Sequence, residues 1–197
     1  SEIVYDLRLN LDNGQFVALS SPSRIWIDPQ SKLLNHILFE KKGLRIAYEF
    51  YRQRLRAWKG GKLLYLHDDV WAVAVSPDGQ RIAYSKGFLT QGILYVLEKG
   101  QVRKIGPGVY PCWAPDGRSL VYSYPQSKKD SKGIHHLTGS DLYRLNLSTQ
   151  RTQRLTETSQ AIEMEPAFSP SGSHIAFSDW RNGQIHTLTL RTDGENR

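Results

Sequence analysis

Short apolar runs rich in β-branched and aromatic residues follow one another along this chain, and three of them are interrupted by the same polar cluster. The segments are Val73-Ala-Val-Ser-Pro-Asp-Gly-Gln-Arg-Ile-Ala-Tyr-Ser85, Pro111-Cys-Trp-Ala-Pro-Asp-Gly-Arg-Ser-Leu-Val-Tyr-Ser123 and Pro166-Ala-Phe-Ser-Pro-Ser-Gly-Ser-His-Ile-Ala-Phe-Ser178. Aligned on Pro77, Pro115 and Pro170, they share a large apolar residue two places before (Val75, Trp113, Phe168) and a glycine two places after (Gly79, Gly117, Gly172). An aliphatic residue follows at five places (Ile82, Leu120, Ile175), an aromatic at seven (Tyr84, Tyr122, Phe177) and a serine at eight. Proline presets φ for the first corner of a turn, Asp or Ser bonds its own backbone, and Gly supplies a positive φ. With strand-forming flanks, each segment predicts a β-hairpin.

A degenerate fourth copy, Ile25-Trp-Ile-Asp-Pro-Gln-Ser31, keeps Pro29 without the glycine, and its second strand slips to about 37–40. Each hairpin is followed by a second one: 58–66, 93–105 and 141–156 each read as strand, tight turn, strand. Four antiparallel strands per repeat, at a period of about 40 to 50 residues, predict an all-β propeller of about four four-stranded blades. The blades fall at about 22–66, 67–106, 107–157 and 158–197. Residues 9–20 match 145–156 in register, so residues 1–20 are expected to complete the last blade, which ends on a third strand and a turn at 185–194. Such closure hides both sheet edges. The alternative is a fragment of a larger ring. The chain starts at Ser1 rather than Met, which reads as a processed or trimmed form.

The Ser-Pro-Asp-Gly turn followed by Arg-Ile-Ala-Tyr-Ser, together with Asp141-Leu-Tyr-Arg-Leu-Asn-Leu147 and the later Arg154-Leu-Thr156, resembles the TolB-like repeat, the Pro-Asp branch of WD-like β-propeller repeats. The resemblance is close over about 70–197 and weaker over 1–66. Similar repeats occur in the bacterial periplasmic TolB protein, which binds a lipoprotein partner, and in propellers attached to serine peptidases of the prolyl-oligopeptidase kind. TolB itself is similar to a six-bladed propeller with an additional N-terminal α/β domain. The resemblance implies a rigid, non-catalytic interaction platform in a periplasmic or otherwise extracytoplasmic setting.

Composition sharpens this picture in two places. The chain of 197 residues is 39% hydrophobic and 23% charged, ordinary for a folded protein, and no apolar run is long enough for a spanning helix. A single cysteine, Cys112, rules out an intrachain disulfide and a Cys-based zinc cluster. The net charge of +7 is confined to residues 41–62, where Lys41, Lys42, Arg45, Arg52, Arg54, Arg56, Lys59 and Lys62 face Glu49 alone; the remainder is balanced.

Tests for chemistry return little. There is no Gly-x-Ser-x-Gly elbow, no phosphate-binding glycine loop and no close histidine spacing apart from His135-His136, whose side chains point oppositely on a strand. Asp28, Asp78 and Asp116 read as turn caps, and Asp68-Asp69 as a plain loop or a cation site at a channel mouth. No cofactor and no metal is expected.

Two stretches stand out. From Phe50 to Trp58 the sequence alternates strictly, placing Arg52, Arg54 and Arg56 on one face with Phe50 and Trp58, and Lys59 beside them. Such a strand can clamp phosphates, sulfates or acidic side chains, or can be an outer strand charged against edge-to-edge aggregation. The second is an insertion, 124–140, carrying Lys128, Lys129, His135 and His136. It is expected as a long loop on the face of the blade-to-blade connections, with the shorter loop 86–92 beside it.

These observations predict a non-enzymatic platform binding another protein, acidic and membrane-associated, through Arg52, Arg54, Arg56, Trp58, Lys59, Lys128, Lys129, His135 and His136. The alternative is a propeller that binds or processes a small anionic or carbohydrate ligand in its central channel. The apolar first-strand residues Trp26, Val73, Val75, Trp113 and Phe168, read as channel-facing, argue for the platform. Nucleic acid ranks third, because no recognition module accompanies the arginines.

Overall fold

The computed structural model describes residues 3–5, 23–27, 34–49, 52–87 and 89–190. They form four antiparallel sheets. The first has six strands in sequence order: β1 (Ile3–Tyr5), β2 (Ser23–Ile27), β3 (Leu34–Lys41), β4 (Leu44–Glu49), β5 (Arg54–Lys59) and β6 (Lys62–His67). The second holds β7 (Val70–Val75), β8 (Arg81–Lys86), β9 (Ile93–Glu98) and β10 (Gln101–Pro107). The third holds β11 (Val109–Trp113), β12 (Ser119–Lys129), β13 (His135–Asn146) and β14 (Thr152–Arg154). The fourth has three described strands, β15 (Glu163–Phe168), β16 (His174–Asp179) and β17 (Gln184–Thr189).

The recurring turn is built the same way three times. Gly79, Gly117 and Gly172 donate to Ser76, Ala114 and Ser169 carbonyls at 2.8, 2.8 and 2.9 Å, with φ of 73°, 67° and 75°. Asp78 and Asp116 cap it as expected, accepting from the amides of Gln80 at 3.0 Å and Arg118 at 2.8 Å. Two of the turns lean on the one before: a Cβ on Gly117 would lie 3.8 Å from Pro77 and one on Gly172 would lie 3.5 Å from Pro115, while one on Gly79 would overlap the ring of Phe39 in β3.

The first strand of each repeat carries a further shared feature. Ala72, Tyr110 and Glu165 stand at the same register, five places before the proline, and all have positive φ (40°, 51° and 54°). Pairing between the first and second strands slips across each of them. This bulge re-aims the entering half of the strand. The serine eight places after the proline answers it in two repeats: Ser85 donates to Trp71 at 2.9 Å and Ser178 to Met164 at 3.1 Å.

The sheets are held face to face by apolar side chains. Ile46, Leu55 and Ala57 of the first sheet meet Val70, Ile82, Tyr84 and Leu97 of the second. Ala83 and Val96 meet Trp113 and Leu120, and Val121 and Leu142 meet Ile175 and Phe177. Val73, Val75, Trp113 and Phe168 belong to these packed layers rather than to a channel wall, because alternate residues of the first strands point between the sheets. Trp113 also donates its indole N–H to Ala74 of the neighbouring sheet at 3.1 Å. The Trp26 side chain lies outside the described residues.

Several expectations change. The segment 50–58 is not one strand: Gln53 has a φ of 52°, its carbonyl accepts from Val70 at 2.9 Å, and β5 starts only at Arg54. Nor is β5 an outer strand, since it is paired on both sides by β4 and β6, so edge protection does not explain its arginines. The expected loop 124–140 is a hairpin continuing β12 and β13, paired down to Lys129 opposite His135 with one register shift between Gln126 and Ser127. The expected four-stranded first blade is a six-stranded sheet, in which Ile3–Tyr5 pair with Ser23–Ile27 rather than with the fourth sheet. The matched segment 9–20, and residues 191–194, lie outside the described residues.

Candidate functional site

Beyond Tyr124, apart from a single bridge from Ser140 to Ile162, the described partners of β12 and β13 in the ladder are each other, because β11 stops opposite Ser123 and β14 pairs no further than Tyr143. The result is a two-stranded ribbon standing off the third sheet. Its tip is closed by Asp130, whose Oδ1 accepts the amides of Lys132 and Ile134, both at 2.9 Å. Gly133, at φ 83°, completes the corner. Asp130 Oδ2 meets His136 Nε2 at 2.8 Å, and this contact, first among several hydrogen bonds, holds the Asp130 carboxyl below its ordinary range. His135 points the other way and meets Ser127 at 3.1 Å. Lys128, Lys129 and Lys132 are exposed along the tip, as is Ile134.

The ribbon's base is fastened by buried acids that the sequence reading did not single out. Asp141 accepts from Gln126 at 2.7 Å, from Arg154 at 2.8 Å and from the Thr158 amide at 3.2 Å. Glu163, at the start of β15, accepts from Thr156 and, at 2.9 Å, from Thr158. Asp179 takes the amides of Ile162 and Arg181, each at 3.0 Å, which keeps its carboxyl deprotonated to lower pH than usual. Arg181 in turn donates to the Thr138 carbonyl of the ribbon at 2.7 Å. All three carboxylates are almost wholly buried, and each is answered by several donors, as buried carboxylates require.

Beside the ribbon lies an apolar hollow of about 130 Å³, walled by Trp71, Leu89, Val109, Tyr110 and Trp180. It opens on the face where the first strands begin and the loops between second and third strands turn. Tyr110 and Trp180 meet edge to face, ring centroids 5.9 Å apart. Burial, and then the nearby charge of Glu165, push the Tyr110 hydroxyl above its ordinary pKa. Two walls of the hollow also brace the ribbon: the 3-10 turn Leu89–Gln91 lies against β12 and β13, and Trp180 donates its amide to Ile162, which bridges Ser140. Tyr110 occupies the bulge position filled by Ala72 and Glu165 in the other repeats, so a departure from the repeat at that register was the signal available in the sequence.

The basic segment is differently arranged. Arg56 pairs with the fully buried Glu49, and Arg52 approaches the same carboxylate at 3.3 Å. Arg54 pairs with Asp68 at 2.6 Å and Arg45 with Glu40 at 2.7 Å. Arg56 also lies over the Trp58 ring, 5.6 Å from its centroid, and Lys59 is exposed at the turn that follows. Arg54, Arg56 and Trp58 do share one face of β5, as the alternation predicts; Arg52 sits in the preceding turn, and Phe50 and Tyr51 lie outside the described residues. Among the described residues no group of three or more His, Cys, Asp or Glu is arranged to hold a metal ion, and no helix is long and apolar enough to cross a membrane.

No family model matches the chain. Over 126 residues it is 30% identical to an uncharacterized protein of Agrobacterium fabrum, a span of 61% of this chain and 39% of that one. Over 65 residues it is 35% identical to dipeptidyl-peptidase 5 of Porphyromonas gingivalis, 33% of this chain and 9% of that one. The chain therefore spans well under half the length of either curated relative. Among solved structures it resembles one assigned as TolB from Agrobacterium tumefaciens (TM-score 0.51, 19% identity, 99% of this chain and 60% of that one). It also resembles the Cps50 (Swd1) β-propeller domain of Myceliophteria thermophila (TM-score 0.59, 10% identity, 96% of this chain and 66% of that one). Taken with the repeated Pro-Asp-Gly turns and the four antiparallel sheets, these likenesses establish the fold: the chain is built as a β-propeller, like the TolB and WD-type propellers it resembles.

Proposed function

We propose that this propeller is a non-enzymatic platform for another protein, and that the partner meets the face bearing the ribbon and the hollow. The observation that carries the reading is the coincidence of these two features on one face. An exposed basic ribbon, fastened at its base by buried carboxylates, stands beside an apolar hollow whose walls brace it. Long connections held on a rigid scaffold are where binding usually resides. Of the residues singled out in the sequence, Lys128, Lys129, His135 and His136 belong to this surface. Arg52, Arg54, Arg56 and Trp58 lie on the first sheet, where the guanidinium groups are paired with Glu49 and Asp68, so the reading rests on the ribbon instead. The setting is extracytoplasmic, in keeping with the TolB-like repeat.

The test is site-specific photo-cross-linking in native extract. A cross-linker at Ile134, on the ribbon tip, captures a discrete protein partner, whereas one at Gln80, on the Pro-Asp-Gly turns of the opposite face, does not. Capture from Gln80 but not Ile134 refutes the assignment of the face.

A further inference from the structure

The hollow is close in size to the roughly 150 Å³ apolar cavities that hold a benzene ring, and its walls are mostly aromatic or aliphatic. Trp180 is 41% exposed at its rim, a large apolar surface left open to solvent. The ribbon braced by those walls carries Lys128, Lys129 and Lys132 at its tip, and the tip's Asp130 is already engaged by His136 and by two backbone amides. Glu165, the acid beside Tyr110, accepts from Ser178 at 3.3 Å. The ribbon thus carries exposed cations at its tip, and the hollow beside its base is apolar.

Resting on the reading of this face as a partner surface, we propose that it takes an acidic segment of the partner, which seats one large apolar side chain in the hollow between Tyr110, Trp180 and Leu89 while its carboxylates lie along Lys128, Lys129 and Lys132. The apolar side chain supplies residence, because burying an aromatic or branched aliphatic group removes a large area from water. The lysines supply orientation and speed of encounter, since charges at an interface rim act mainly on association. An extended segment can reach both features, because the walls of the hollow lie against the strands that carry the lysines.

The experiment uses the whole chain and a panel of fluorescein-labelled peptides read by anisotropy. Glu- and Asp-flanked peptides with a central Trp or Leu are compared with the same flanks around Ala, and with Lys flanks around Trp. The acidic Trp and Leu peptides are expected to bind at least about tenfold more tightly than either control. Trp180→Ser and Leu89→Ser should each erase the advantage of Trp over Ala. A Lys128→Glu/Lys129→Glu/Lys132→Glu variant should erase the preference for acidic flanks and its dependence on salt. Melting temperatures within a few degrees of wild type keep these variants interpretable. Equal binding of the Trp and Ala peptides overturns the proposal, as does equal binding of acidic and basic flanks, or the absence of binding by any peptide. Sedimentation with phosphatidylglycerol vesicles that exceeds peptide binding overturns it in favour of a lipid surface. The cross-linker at Ile134 needs no anchor chemistry, so capture there together with a silent panel sinks this inference alone, and no capture sinks the assignment of the face.

Discussion

The hydroxyl of Ser85 donates to the carbonyl of Trp71 at 2.9 Å, across the point where the first strand of its sheet bulges. Ser178 does the same for Met164 at 3.1 Å. Ser123 holds the equivalent place opposite Val109 and is fully buried, yet its hydroxyl has no hydrogen-bond partner among the described residues. The three serines are indistinguishable in the sequence and differ in what they do. Replacing Ser85 or Ser178 by Ala strips a donor from a carbonyl displaced by the bulge and is expected to cost about 1–2 kcal/mol. Ser123→Ala removes an unsatisfied buried hydroxyl and is expected to be neutral or slightly stabilising. Urea midpoints of the three variants decide it; equal losses at all three positions refute the distinction.

The same comparison shows what the sequence could carry. The turns, the strand pairs and the packed apolar layers follow from local rules: Pro and Gly fix the corners, and Ile82, Leu120 and Ile175 mark faces that must be buried. What was not legible depends on partners distant in the chain. The alternation around Arg52 looked like one strand, but Gln53 is held in a turn by Val70, seventeen residues on, and no period-two pattern reports that. The ribbon reads as a loop in the sequence because Pro125 and the polar run after it lack strand propensity, whereas the opposed strand and the Asp130 cap hold it extended. The hollow gathers residues from three repeats, so only Tyr110, standing where Ala72 and Glu165 stand elsewhere, left a trace in the alignment.

Glycines at left-handed positions separate backbone strain from crowding. Gly79 and Gly183 both have a φ of 73°, but a Cβ on Gly79 would overlap the Phe39 ring, while one on Gly183 meets nothing within 4 Å. Gly183→Ala is expected to cost about 1 kcal/mol, from conformation alone. Gly79→Ala should cost distinctly more, since the ring linking the first sheet to the second must move. Thermal unfolding of the pair checks this, and comparable melting temperatures would refute the packing role given to Phe39.

The arginines of β5 make opposite predictions for neighbouring residues. Glu49 is fully buried and Arg56, itself largely covered, answers its charge. Arg56→Ala leaves the buried carboxylate with only the exposed Arg52 beside it and is expected to destabilise by about 3 kcal/mol. Arg54 and Asp68 pair near the surface, so Arg54→Ala should cost well under about 1 kcal/mol. If Arg54→Ala proved the more damaging in denaturant titrations, the first sheet would not depend on Glu49 as described.

His67, at the end of β6, has its pKa lowered, first by burial, then by the Lys86 charge, with Asp68 opposing. Its ring lies 5.7 Å from that of Tyr84. A base whose folded pKa falls below its ordinary value of 6.5 binds its proton more readily in the unfolded chain. Its contribution is therefore complete above about pH 6.5 and declines as pH falls toward the folded pKa, below which the loss levels off. The sign is opposite to that of a histidine that gains an acidic partner on folding. His67→Gln removes the titration, so the fall in urea midpoint between neutral and mildly acidic pH should be smaller in this variant than in the wild type. An identical fall in both would place the acid sensitivity elsewhere in the molecule. A larger fall in the variant would mean that folding raises the pKa of His67, with Asp68 outweighing burial and Lys86.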